Sequence, residues 1–289
     1  MKDMITGKTK LTGLLGSPVE HSISPAMHNE AFRLLGLDYA YLAFDVTEDT
    51  FRKAVDGLTA IGAAGWNCTM PLKRLMHQRV DVLSDTALLT GSVNTVVNKD
   101  GVLYGDNTDG YGFMQSMADA GLRAAGKRLT VLGSGGAAAS IIAQAALDGV
   151  YSIDIFSRPH SASTRLIAQE ADLIRSKTAC LLHLYDLQDH SQLARSLKDS
   201  YCLINASSVG MAPKTDACLI PDASMLHPDL AVGDVIYNPR TTALLHMAKE
   251  RGCMVFNGLY MLLHQGAMAF RLWTGQDMPV GTIREKFFQ

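Results

Sequence analysis

Residues 129–138 read LTVLGSGGAA, an apolar run that breaks on glycines and resumes as an alanine-rich stretch. A segment like this has few ways to fold: a buried strand, a tight turn at Gly133, then a helix. In the spacing Gly133-x-Gly135-x-x-Ala138, the first glycine permits the turn and the second lets the backbone approach a pyrophosphate. Ala138 keeps the helix close to the sheet, and the helix start offers free N–H groups to an anion. A close-packed turn with no ligand uses the same letters. The weight therefore rests on context: strand before, helix after, within repeated β-α units.

That context is present. Further strands are expected at 151–156, 179–184, 201–205 and 231–236, with helical segments between them, the rhythm of a doubly wound nucleotide-binding fold. The strand SIDIF should end near the adenosine ribose of a bound dinucleotide, where NAD-specific folds place a carboxylate. Here the chain offers Ser157-Arg158-Pro159-His160, followed by Ser161, Ser163 and Thr164. A guanidinium and several hydroxyls suit a 2′-phosphate, so NADP is the expected cofactor and NAD the alternative. A solvated loop arginine is the plain competing account of Arg158.

The first third alternates in the same way. Strand-like runs at 11–16, 40–46 and 66–70 are separated by helical spacing at 26–36 and 50–61. Stretches 92–98 and 102–105 flank Lys99-Asp100-Gly101, a hairpin signal. The expected class is α/β, a largely parallel sheet covered by helices with one antiparallel hairpin, joined to a Rossmann-like doubly wound domain. With 289 residues there is room for two domains, expected at 1–109 and 110–257, followed by a helical segment at 258–289.

Composition narrows the function. The formal net charge of -2 gives no basic field to hold nucleic acid or an anionic membrane. Five cysteines, scattered and never paired as C-x-x-C, point to reduced thiols in the cytoplasm and away from disulfides. No histidine spacing supports a metal site, no signal-like apolar core opens the chain, and no apolar run suits a membrane span.

Four polar clusters fall at expected strand ends of the first domain, where open α/β sheets bind ligands. His21-Ser22-Ile23-Ser24-Pro25 supplies two hydroxyls before a helix, with Ser24 suited to cap it. In Asn67-Cys68-Thr69-Met70-Pro71-Leu72-Lys73, strand alternation puts Asn67 and Thr69 on one face, Cys68 and Met70 on the other. Pro71 should open a helix with Lys73 in its first turn, where the helix dipole opposes a cation. Stability gives no reason for lysine there and proton transfer does, although an exposed surface lysine is the plain alternative. Ser92-Val93-Asn94-Thr95 and Gly105-Asp106-Asn107-Thr108-Asp109-Gly110 complete the set. Each asparagine or aspartate alone reads as turn chemistry. Together they suit a polyhydroxylated substrate, recognised hydroxyl by hydroxyl.

These motifs resemble the shikimate/quinate dehydrogenase family over nearly the whole chain. HSISP (21–25), NCTMPLK (67–73), SVNT (92–95), GDNTDG (105–110), GSGGA (133–137), NASSVGM (205–211) and the tail motif at 258–265 occur in the family's order. The resemblance implies reversible NADP-dependent reduction of 3-dehydroshikimate to shikimate, in aromatic amino-acid biosynthesis. It implies Lys73 as the acid/base residue with Asp109 as its partner, and Ser22, Ser24, Asn67, Thr69, Asn94, Tyr237 and Gln265 as substrate contacts. It assigns the cofactor to Gly133, Ser134, Gly135, Gly136, Ala137, Ser157, Arg158, Val235 and Gly258, and implies a monomer or homodimer with no metal. The terminal helix is expected to return to the first domain and deliver Gln265.

Departures from the family pattern qualify this. Met70 replaces valine, as in members that accept both quinate and shikimate, so a dual-specificity enzyme using NAD or NADP is the first alternative. A weakly catalytic metabolite-binding regulator is the second, and the intact Lys73 and Asp109 argue against it. Trp66 is expected to reshape the pocket wall, Tyr260 stands where many members have a second glycine, and Ser157 replaces an asparagine.

Overall fold

The computed structural model describes residues 5–289. The chain divides into two compact units, Met1–Thr108 with Leu263–Gln289, and Asp109–Leu262.

In the first unit, β1 (Lys10–Gly16), β2 (Tyr39–Asp45), β3 (Gly65–Cys68), β4 (Val82–Leu83), β5 (Thr95–Lys99) and β6 (Val102–Asp106) form one sheet. Their order is β2-β1-β3-β5-β6-β4. β1 pairs in parallel with β2 and β3, and β4 in parallel with β6. β5 and β6 form the expected hairpin, turning through Asp100 and Gly101 at φ 55° and 89°, the two positive values of a type I′ turn. β5 also runs antiparallel to β3, which adds a second antiparallel pair to the one expected.

Beneath this sheet Leu15, Val55, Trp66, Leu72, Met76, Val93 and Val96 form an apolar cluster. Trp66 is wholly buried in it. This corrects its expected place in the pocket wall: alternation along β3 sends Trp66 into the core on the side away from Asn67. A second correction concerns Thr69 and Met70. β3 ends at Cys68, so strand alternation does not extend to them, and Met70 stands 75% exposed.

The terminal segment is fixed to the first sheet by specific bonds. Trp273, on the helix Leu259–Thr274, donates its indole N–H to the Val96 carbonyl at 2.9 Å. Tyr39 donates its hydroxyl to the Trp273 carbonyl at 3.2 Å. Gly65 is glycine because any Cβ there would strike the Trp273 ring and the Val96 carbonyl. Lys286, on the helix Val280–Phe287, pairs with Glu30 at 2.8 Å. Arg33, then Lys286, hold the Glu30 carboxyl down to about 2.

In the second unit β7 (Arg128–Leu132), β8 (Ser152–Ser157), β9 (Leu181–Asp186), β10 (Cys202–Asn205), β11 (Ala231–Asp234) and β12 (Met254–Phe256) are all parallel. Their order, β12-β11-β10-β7-β8-β9, is that of the doubly wound dinucleotide fold, which reverses direction between β7 and β10. Helices Asp109–Asp119 and Gly136–Leu147 approach so closely that a Cβ on Gly110 would collide with the Ser140 backbone. Among the described residues no helix is long and apolar enough to cross a membrane.

Candidate active site

A cavity of about 840 Å³ opens where the second sheet reverses, and it is lined by the ends of β7, β8, β10 and β11. Gly133 leaves β7 at φ 119°, a value that favours glycine, with the Ala206 carbonyl 2.9 Å from where a Cβ would stand. Gly135 caps the helix Gly136–Leu147, and added Cβ atoms on Gly135 and Gly136 would meet nothing within 4 Å. The turn therefore presents bare backbone and a helix N-terminus to the cavity, the surface that a pyrophosphate needs. Ala138 is fully buried beneath it.

Ser134, Ala137, Ser157, Arg158, Val235 and Tyr237 line the same cavity. Gly258 stands against the Val235 carbonyl, with no room for a side chain. Around Arg158 the hydroxyls are linked. Ser134 and Ser163 lie 2.9 Å apart, Ser161 and Thr164 2.8 Å, and Thr164 donates to Ser157 at 3.1 Å. Ser161 also caps the helix Ala162–Lys177 by accepting from the Thr164 N–H. The lining suits a dinucleotide that carries an extra phosphate on its ribose.

In the first unit, buried side chains join three of the polar clusters. Tyr41 donates its hydroxyl to Asn67 Oδ1 at 2.8 Å. Asn67 Nδ2 donates to the Asn94 carbonyl at 3.1 Å and to Thr95 Oγ1 at 2.9 Å. Thr95 donates to Asn94 Oδ1, which also accepts the Thr108 N–H, both at 2.9 Å. Asn94 Nδ2 returns a bond to the Thr108 hydroxyl at 3.0 Å. Burial pushes the Tyr41 phenol well above its ordinary value, with the nearby Ser24 hydroxyl opposing part of that rise, so it remains a donor. With its members bonded to one another, such a network fixes side-chain orientation.

Ser24 does not cap its helix as expected. Ile23 holds the cap position of Ser24–Leu34, and the Ser24 N–H donates to the Ser22 hydroxyl at 3.2 Å. Thr69, half-buried, continues the ladder past β3 by donating its N–H to the Leu15 carbonyl. Lys73 is the first residue of the helix Lys73–His77, and its carbonyl accepts the Val93 N–H at 2.9 Å. That helix has five residues, so its summed dipole is small and the electrostatic argument for Lys73 weakens. The position itself stands. Beside it the buried Cys68 thiol is pushed up to about 12, with the positive charge of Lys73 opposing part of that rise. Asp109 opens the helix Asp109–Asp119, one peptide bond after Thr108. Gln265 is half-buried on the helix Leu259–Thr274.

The shikimate dehydrogenase substrate-binding domain model matches residues 14–96, and the shikimate 5′-dehydrogenase C-terminal domain model matches 258–286. A shikimate dehydrogenase (NADP(+)) of Listeria monocytogenes is 48% identical, covering 99% of this chain and 98% of the relative. The chain belongs to the shikimate dehydrogenase family. A crystal structure of the shikimate 5-dehydrogenase from Listeria monocytogenes, in complex with shikimate and NAD, superposes with TM-score 0.95 at 48% identity, over 99% of this chain and 98% of that one. The quinate dehydrogenase of Corynebacterium glutamicum, in complex with NAD, gives TM-score 0.85 at 28% identity, over 97% and 99%.

The match to the shikimate dehydrogenase substrate-binding model takes in Ser22, Ser24, Asn67, Thr69, Lys73 and Asn94, and the C-terminal match takes in Gly258 and Gln265. Sequence reasoning passes over Tyr41 and Asp234, and takes Asn205 only as the first residue of a motif. Tyr41 lies within an apolar-looking strand, and the only signal is general: a buried tyrosine hydroxyl needs a partner. Asn205 and Asp234 each end a strand, and nothing in their spacing tells that their side chains meet.

Proposed function

We propose that the chain is an NADP-dependent shikimate dehydrogenase in which Lys73 moves the proton. The observation that carries this reading is the cavity of the second unit, with bare backbone at Gly135 and Gly136 and with Arg158 among linked hydroxyls. When bound, the nicotinamide cofactor supplies or accepts the hydride at the carbon that alternates between ketone and alcohol.

The chain's own residues do the rest. Asn67 and Asn94, with Ser22, Ser24, Thr69 and Gln265, hydrogen-bond the carboxylate and hydroxyls of the substrate. Tyr41, Thr95 and Thr108 fix the two asparagines in advance, so an analogue lacking one hydroxyl leaves an oriented group unpaired. In the reducing direction the Lys73 ammonium protonates the developing alkoxide of 3-dehydroshikimate. In the oxidising direction the neutral amine takes the hydroxyl proton of shikimate. Asp109 is the acidic residue assigned to this proton step, and Tyr237 a further substrate residue. Met1–Thr108 with the terminal segment serves as the substrate domain, and Asp109–Leu262 as the cofactor domain. The described cysteines are all free, in keeping with work in a reducing cytoplasm.

NAD as a second cofactor is favoured by the Listeria structure, which holds NAD. The direct test is absorbance of reduced nicotinamide in purified protein given shikimate and NADP. Steady formation of NADPH is expected. No turnover of shikimate with either cofactor would overturn the reading.

A further inference from the structure

The second unit buries a carboxylate for which the turn chemistry and Arg158 give no use. Asp234, the last residue of β11, is wholly inaccessible to solvent. Its Oδ1 accepts the Ile236 N–H at 2.9 Å, and its Oδ2 accepts the Thr242 hydroxyl at 2.7 Å. Asn205, its register partner at the end of β10, sets Nδ2 at 3.1 Å from both oxygens. The amide of Asn205 then reaches outward. Its Nδ2 donates to the Val209 carbonyl at 3.1 Å, and its Oδ1 accepts the Ser207 hydroxyl at 2.7 Å and the Ser207 N–H at 3.2 Å.

Burying a carboxylate costs free energy, and burial raises this carboxyl while the Ile236 N–H, Thr242 and Asn205 hold it down. An apolar residue of similar volume would avoid that cost but would hold nothing. The carboxylate takes one donor, the Ile236 N–H, directly from the cavity wall of Val235, Ile236 and Tyr237 after β11. It reaches the other wall, Ala206, Ser207 and Val209 after β10, through the Asn205 amide. Those walls stand at the reversal of strand order, where doubly wound folds seat their ligand.

We propose that Asp234 is a positioning residue of the cofactor site, acting through Asn205 on the 206–209 wall and through Ile236 on the 235–237 wall. The proposal rests on the reading of this cavity as the cofactor site. Asp234→Asn replaces one carboxylate oxygen with an amide NH2 group, which donates and cannot accept. NADPH affinity, followed by fluorescence in the full chain, is expected to weaken about tenfold or more, with KM for NADP rising in step. The kcat at saturating cofactor is expected to stay within about threefold, a split that general destabilisation does not produce.

Thr242→Val removes the hydroxyl that donates to Asp234 and that also caps the helix Ala243–Glu250 by accepting the Leu245 N–H. It is expected to weaken NADPH about three- to tenfold, while Thr242→Ser, which keeps both bonds, binds as wild type. If Asp234→Asn does not fold, the Thr242 pair decides. NADPH affinity within about twofold of wild type in every folded variant, whatever happens to the melting temperature, would overturn the proposal. A wild-type chain that binds neither NADPH nor NADH would instead overturn the cofactor reading of the cavity.

Discussion

Tyr41 donates its hydroxyl to Asn67 Oδ1 at 2.8 Å, and both side chains are buried. Asn67 is thereby held in one of its two amide orientations, with Nδ2 aimed at Thr95 and the Asn94 carbonyl. A substrate group meeting this strand meets a set of donors and acceptors already in place.

Tyr41→Phe removes that hydroxyl and leaves the Asn67 oxygen without its donor in a buried setting, a loss of about 1–3 kcal/mol in stability. Shikimate affinity should fall about three- to tenfold, because the asparagine is no longer held, while NADP affinity stays within about twofold. Calorimetry with each ligand checks this. Equal losses for both would mean that Tyr41 supports the fold alone.

Arg158→Ala should cost NADP about tenfold to a few hundredfold in kcat/KM, because a guanidinium grips a phosphate with charged, paired hydrogen bonds. NAD should change little, since the linked hydroxyls of Ser134, Ser161, Ser163 and Thr164 remain for its ribose. Steady-state kinetics with both cofactors settles the matter. A variant that keeps the NADP preference of wild type would remove Arg158 from the account.

His28 makes the fold sensitive to acid. It is fully buried, both ring nitrogens lack a hydrogen-bond partner among the described residues, and it stacks on Tyr41 at a centroid distance of 4.5 Å. Burial lowers its pKa from 6.5 to about 3, so the folded chain keeps the ring neutral where the unfolded chain protonates it. Stability is therefore fully present above 6.5 and falls as the pH drops toward 3, by about 1.4 kcal/mol per pH unit from this one group. In His28→Phe that part of the slope should vanish. Urea midpoints at pH 7, about 5.5 and about 4.5 read it, and an unchanged slope would show that other groups drive the acid transition.

Much of this architecture is legible in the sequence, for identifiable reasons. The second unit declares itself because β7 and the turn after it combine an apolar run, a glycine at a left-handed φ and a small residue at Ala138, each demanded by sterics. The hairpin declares itself through Asp100-Gly101. β4 and β12, at two and three residues, are too short to show a period and are not legible. The polar clusters are visible as motifs, but not the bonds that join them. Tyr41 and Asn67 are 26 positions apart, and Asn205 and Asp234 are 29 apart, so only the folded sheets bring them together. Trp66 misleads for a related reason: its neighbour Asn67 faces the polar network, and the pleat turns the indole into the core.

The central claim is that Lys73 carries the proton in the oxidation of shikimate, and steady-state kinetics of Lys73→Ala with shikimate and NADP tests it most directly. The account predicts that kcat falls by about 10²–10⁴-fold with KM for shikimate changed only a few-fold, because the lost group acts on the transition state. A large rise in KM with kcat preserved would contradict it, and would make Lys73 a residue that binds substrate without moving a proton.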